Sequence, residues 1–484
     1  MNALRPLLTA CLLLTLSGLY AQTRALYNYQ ELSHLYYEKQ RDSLKKVWVC
    51  PTIYKDKATQ KKYKEFWDDR TGFITEAIAH DNYIHEKEVA GYIEDIINQL
   101  TQANKSLLPV RPFLLIDRSP SVNAYSTGQN VIAVNLGLIS FAQTREELAL
   151  VIAHELSHNI LEHTDNAMKQ KAEWLSSDEY KQSLNAVLDS KYERLSRLKK
   201  VLEGYSFSRG RHQRYHESEA DSLAIVLLKK SNIPFNAAYF LRLDSSDIQY
   251  RQPLKNPVKN YFTAYQLPFE DAWTKQRSKG LSTRAYNFKD TTSIADSLKT
   301  HPDCVDRYAR TRNRTTPNAK YTPIPASIRD KATKMLIWNM YYNMSLTPCL
   351  YRILLEKDKG NTDEWYDFMV NNIFAALYYS DRELHRFNAI GVTPKEYISQ
   401  NYFELQTMFL QIPRENLEQY CKTFQNEAFW KDMTPAEKAL KNLMYTLALD
   451  PDNSDKNKAR AAKEFKANNS ASMYCEFADD FEKK

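Results

Sequence analysis

Apolar positions recur at helical intervals over most of the chain, and the few stretches that break this rhythm are short. Ile84, Val89, Tyr92, Ile93, Ile96, Ile97 and Leu100 keep the three-and-four spacing of one helix face, which predicts helix between about 73 and 100. Arg111–Asp117, RPFLLID, is instead a compact apolar run and predicts a strand. Val122–Ser126 and Val131–Asn135, joined by a turn at Gly128, predict a short hairpin-like pair. Leu148, Leu150, Val151, Ile152 and Leu156 then cover most of a helix surface, so that helix should be buried. Thr144 is its N-cap, with Glu146 and Glu147 in the first turn.

The stretch 163–215 is polar with helical spacing, and its charge run KYERLSRLKK at 191–200 reads as a solvated face. A second apolar helix is predicted to open at His216 and to run through Leu228. Residues 246–300 read as loop, ending at Thr300-His301-Pro302 before a short helix that contains Arg307. Pro317, Pro323 and Pro325 mark a linker at 316–327, and 328–484 is helical and rich in Tyr and Phe. The pattern predicts a mainly α (α+β) chain. Its divisions are a leader at 1–21, a helical segment at 22–72, a domain with a small β-sheet at 73–315, the linker, and an all-α C-terminal domain.

Composition changes this picture little. Only 10 Gly in 484 residues suits a helix-rich chain, and a formal charge of +7 spread along the sequence gives no basic groove for nucleic acid. Residues 1–21 carry one Arg, an apolar run from Leu7 to Leu16 and small residues ending at Ala21, the pattern of a secretory signal peptide. This predicts an exported protein, periplasmic, outer-membrane associated or secreted. No later stretch reaches the ~20 apolar residues of a membrane helix. Leu8-Thr9-Ala10-Cys11 resembles a lipobox, but the apolar run continues past Cys11 where a lipoprotein signal would stop, which argues against acylation. Cys50, Cys304, Cys349, Cys421 and Cys475 are scattered, so one or two bridges is the most they predict.

The chemistry lies in the buried helix. Val151–Ile160, VIAHELSHNI, holds His154, Glu155 and His158 in the pattern HExxH. Residues four apart on a helix face the same way, so His154 and His158 can turn both imidazoles to one metal ion, with Glu155 beside them as a base rather than a ligand. A catalytic zinc takes a third protein donor and keeps a position open. Glu217 is the best candidate, and Asp221, one turn on, can accept a hydrogen bond from the outer nitrogen of a ligand His. His163, five positions past His158, reads as off the ligand face and structural. Arg307, His216 and Tyr215 are candidate donors to an oxyanion.

The motifs NAYSTG, GLI, ELALVIAHELSHNILEH, ESEAD and THPDCVDR, in that order over roughly 75–315, resemble family 48 of the metallopeptidases. These are gluzincins that include HtpX, the CaaX prenyl-protein endopeptidases and BepA. The resemblance implies a zincin-type helical domain with one zinc per chain, and it puts Glu217 rather than Glu219 on the metal. It also implies that the loop carrying His301 lies over the cleft, where the imidazole either holds the enzyme latent or takes part in catalysis; the alternative is a packing residue beside Pro302 at a helix start. Lacking a membrane helix, the chain resembles the soluble, exported BepA-like branch, in which the helical tail is made of tetratricopeptide repeats. Leu447–Asn453, LALDPDN, is similar to a turn between such repeats. The implied activity is endopeptidase action on misfolded or envelope proteins, with the C-terminal helices available to a protein partner. Substrate is expected in extended form along a sheet edge at Val131–Asn135. The alternative is a chaperone or binding module with a latent metal site.

Overall fold

The computed structural model describes residues 35–79, 83–190, 192–244, 250–275, 304–425, 432–470, 472 and 474–482. The leader expected at 1–21 with Cys11, and His301, lie outside the described residues. The fold is α+β and mainly helical, as the apolar spacing predicts. It divides into two units: residues 33–244 with 299–332, and residues 245–298 with 333–484.

In the first unit, α1 (Leu35–Val47) and α2 (Lys57–Ala79) precede β1 (Tyr83–Ile84) and α3 (Lys87–Ala103). The sheet continues with β2 (Phe113–Asp117), β3 (Ala124–Gly128) and β4 (Val131–Asn135). Its strand order is β1-β2-β4-β3. The β2–β4 pair is parallel and the β3–β4 pair antiparallel, with Tyr125 opposite Ala133 and Ser126 opposite Ile132. Val131–Asn135 is therefore an interior strand and not an edge, a correction to the sequence reading. Its five residues are all buried, as a strand paired on both sides and covered by helices requires. The edge next to it is β3, whose middle residues are only half-buried, while β1 forms the opposite edge. The hairpin closes on Gln129 and Asn130, both with positive φ, after Gly128 at φ +80°. Two consecutive left-handed residues match the right-handed twist of the flanking strands.

A short helix, α4 (Leu136–Phe141), leads to α5 (Arg145–Ile160). Gly137 sits where a Cβ would lie 2.1 Å from the carbonyl oxygen of Pro120, and its N–H donates to Ser119. The Thr144 hydroxyl caps α5 by accepting from the Glu147 N–H. Every residue from Glu146 to Ser157 is buried. Glu147 is held there by Arg242 (2.7 Å) and the Gln143 N–H (2.9 Å). Each fully buried Leu or Ile on this helix contributes roughly 1.5–3 kcal/mol, which fixes the helix axis rigidly under the sheet.

After α5 come α6 (His163–Ser176), α7 (Asp178–Leu188), α8 (Arg194–Lys230), α9 (Ala238–Asp244) and α10 (Cys304–Thr311). His216 does not open a helix: it lies inside α8, a single helix of 37 residues. The apolar C-terminal half of α8 packs along α5, which brings the second sequence motif beside the first.

In the second unit the helix Glu364–Arg382 is buried from Trp365 to Ser380. Helices Arg414–Gln425 and Pro435–Leu449 pack on it. Residues 250–275 pack here too, with Phe262 edge-on to Phe374 at 5.6 Å. LALDPDN ends the helix Pro435–Leu449 and turns into Asp455–Asn468, the Asp450 carboxylate accepting from the Ser454 N–H. The five described cysteines are all unbridged, and four are buried. No helix among the described residues is long and apolar enough to cross a membrane.

Candidate metal centre

The α5 register brings His154 and His158 to one side, with their Nε2 atoms 3.0 Å apart. From α8, Glu217 places Oε2 3.3 Å from His154 Nε2 and Oε1 3.6 Å from His158 Nε2. The ligand atoms of these three residues all lie within 4.8 Å of one another. Two unprotonated imidazole nitrogens facing each other at 3.0 Å repel unless a positive charge stands between them. The donor set, two imidazoles and one carboxylate, suits a borderline divalent cation such as zinc and leaves a fourth position to a small ligand.

The ionisation of the group carries the same mark. Burial and the Arg307 charge push the His154 imidazolium down, but hydrogen bonds to Asp221 and Glu217 outweigh them and raise its pKa to about 9. Burial and the positive charge on His154 push His158 down to about 3. Burial opposes ionisation of Glu217, yet the hydrogen bond and charge of His154 bring it to about 2. The surroundings thus favour a proton on His154 and disfavour one on His158.

Asp221 lies one turn beyond Glu217. Its Oδ1 is 3.0 Å from His154 Nδ1, which donates to it and so holds the ring with Nε2 turned toward Glu217 and His158. Arg307 from α10 is almost wholly buried. It grips Asp221 in a bidentate pair, Nε to Oδ2 at 2.9 Å and Nη2 to Oδ1 at 2.6 Å. Nη2 is also 3.3 Å from His154 Nδ1, and the guanidinium carbon lies 4.4 Å over the Phe240 ring. The fork of Arg307 is thus turned to the outer side of His154, not toward the ligand triad. The sequence reading missed this pairing, although a buried Asp on an apolar helix signals a need for a cation.

Glu155 is buried on the side facing the sheet edge, where the backbone N–H of Ser126 donates to it. Burial pushes its pKa up to about 7, the Glu217 charge adding to this while His154 opposes it. A buried carboxyl with its pKa raised, coupled to His154 and Glu217 and touching a strand edge, is placed to move a proton. Ser126 also ties the strand to the helix, its hydroxyl donating to Asn159 Oδ1 at 2.8 Å.

His163 stays outside the inner triad, as its position predicts, but it lies against the outer nitrogen of His158. Helix α5 ends at Ile160, Glu162 takes a left-handed conformation, and a new helix begins at His163. A register count through that break does not hold, and His163 Nδ1 lies 2.9 Å from His158 Nδ1. Tyr215, largely exposed, is hydrogen-bonded to Glu219, and His216 stacks on His163.

Among known proteins, the family model described as Peptidase family M48 matches residues 87–315. That segment is similar to peptidase family M48. All the residues of the centre fall within it. The chain is also 27% identical over 201 residues to a Vibrio cholerae serotype O1 (strain ATCC 39315 / El Tor Inaba N16961) protein described as a putative beta-barrel assembly-enhancing protease. The match covers 40% of this chain and 40% of that relative's length.

Proposed function

We propose that this chain is a zinc-dependent endopeptidase of the M48 type, with His154, His158 and Glu217 holding one catalytic zinc and Glu155 acting as general base. The observation that carries the reading is the convergence of two Nε2 atoms and one carboxylate within 4.8 Å, with the buried Glu155 carboxyl interacting electrostatically with His154 and Glu217. Zinc, when bound, supplies Lewis acidity that polarises the scissile carbonyl and acidifies a water molecule. Glu155 accepts the proton of the attacking water and returns it to the leaving nitrogen. Asp221 and Arg307 hold the His154 ring with its lone pair toward the site. Arg307 acts through Asp221 and is a positioning residue.

The free edge of β3, Ala124–Gly128, is the surface where an extended polypeptide can add as a further strand, with Ser126 next to Glu155. Backbone pairing recognises any unfolded chain, which suits misfolded or envelope proteins as substrates. The signal-like residues 1–21 support export, and the helices of 333–482 are the surface available to a partner. To His301 we assign, from its THP motif alone, the role of a latch; His301→Ala is expected to cleave an unfolded substrate faster than the unaltered protein at equal zinc content. The reading as a whole is tested with Glu155→Gln, which should retain zinc and lose roughly 10²–10⁴ in cleavage rate. Cleavage at the unaltered rate by this variant would remove Glu155 from the mechanism and leave the binding-module alternative.

A further inference from the structure

We propose that His163, His216 and Glu219 form a second, outer site for a first-row divalent cation, and that filling it inhibits the first. Their ligand atoms all lie within 4.8 Å of one another. The donors come from two helices: His163 is the first residue of α6, and His216 and Glu219, three apart, share one face of α8. Glu219 Oε2 is 3.6 Å from His163 Nε2, close to the donor–donor edge of a tetrahedral site with bonds of about 2.0–2.2 Å. The His163 and His216 rings stack at 4.2 Å with 12° between their planes, so small rotations about χ2 bring a nitrogen of each toward Glu219. His163 and the half-exposed Glu219 place the triad at the rim of the centre, open to an incoming ion.

The coupling follows from hydrogen positions. At 2.9 Å, His158 Nδ1 and His163 Nδ1 must share one hydrogen between them. When His158 gives its Nε2 lone pair to the inner metal, its hydrogen is on Nδ1, and the Nδ1 of His163 must accept. A neutral His163 then carries its own hydrogen on Nε2, directed at Glu219. A cation in the outer site takes the Nε2 lone pair and moves that hydrogen to Nδ1, with no net proton released. Two N–H groups then face each other, the contact opens, and His158 loses the partner that orients it. Loss of such an orienting hydrogen bond costs about 10–100-fold in metal affinity or activity.

The existence of the outer site is independent of the peptidase reading; the inhibition rests on it. Zinc is titrated into the full-length protein, with bound metal measured after equilibrium dialysis and initial cleavage rate followed at each point. The unaltered protein should take up a second equivalent as its rate falls about tenfold or more. Glu219→Gln and His216→Ala should each stop at one equivalent and hold their own starting rates over the same range. His154→Ala should still bind one equivalent, now at the outer triad. The proposal is overturned if the unaltered protein stops at one equivalent, if both outer variants still bind two, or if the second equivalent binds without slowing cleavage. A protein that binds two equivalents in this pattern and never cleaves would instead overturn the peptidase reading and the inhibition with it, leaving the outer site standing.

Discussion

His154 has two nitrogens with opposite tasks. Nδ1 must donate to Asp221 and Nε2 must present a lone pair, yet in the metal-free protein the ring holds an extra proton, with a pKa raised to about 9. Metal binding has to expel that proton, so at pH 7 to 8 about one proton should be released per zinc bound. Affinity should then rise about tenfold per pH unit until the pH passes about 9 and level off above it. Calorimetry in buffers of different ionisation enthalpy reads the proton directly, and a count near zero would show that Nε2 is already free. His154→Ala should lose the inner metal. Asp221→Asn removes the carboxylate that fixes the tautomer and leaves Arg307 buried without its partner. Zinc affinity should fall by about 10–100-fold, measured by competition with a chromogenic chelator, with the zinc still bound at saturation.

Among the elements, the clearest in the sequence are those whose apolar pattern carries direction. Helix α5 is legible because Thr144, Glu146 and Glu147 mark its start and its apolar residues run all round it. The strand β4 was legible as a strand but placed at the wrong position in the sheet. Its unbroken run VIAVN is the pattern of a strand buried on both faces, whereas AYSTG in β3 alternates toward polar; comparing the two points to β3 as the edge. The long α8 was read as two pieces because its first half is polar and gives no apolar stripe. The absence of Pro from Arg194 to Lys230 was the available signal that nothing breaks it. The turn that joins β4 to α4 depends on a missing side chain. A Cβ on Gly137 would meet the Pro120 carbonyl at 2.1 Å, and this is backbone that cannot swing aside. Gly137→Ala is therefore expected to cost about 1–3 kcal/mol, seen as a lower denaturant midpoint with unchanged slope. A stability equal to the unaltered protein would mean that the 119–121 segment yields freely.

On the scale of the whole molecule, local pattern predicted the fold class, while the outer triad and the Arg307–Asp221 pair were not legible. They depend on α6, α8 and α10 meeting around α5, and no periodicity within one segment states which helices meet. The same arrangement makes the centre a clasp. His154 and His158 from one helix and Glu217 from another are far apart in an unfolded chain, so a cation that all three hold binds the folded unit and not the unfolded one. At a free zinc concentration a thousandfold above the dissociation constant, this linkage contributes about 4 kcal/mol of stability. Removing metal with a chelator should therefore lower the thermal midpoint of the unaltered protein. His154→Ala, with the inner set broken, should start near that lower midpoint. Its remaining response to chelator is confined to the outer triad, so the double variant His154→Ala with Glu219→Gln should show none. If chelator shifts that double variant as far as it shifts the unaltered protein, the stabilising metal lies elsewhere in the chain and the clasp between α5 and α8 is not its site.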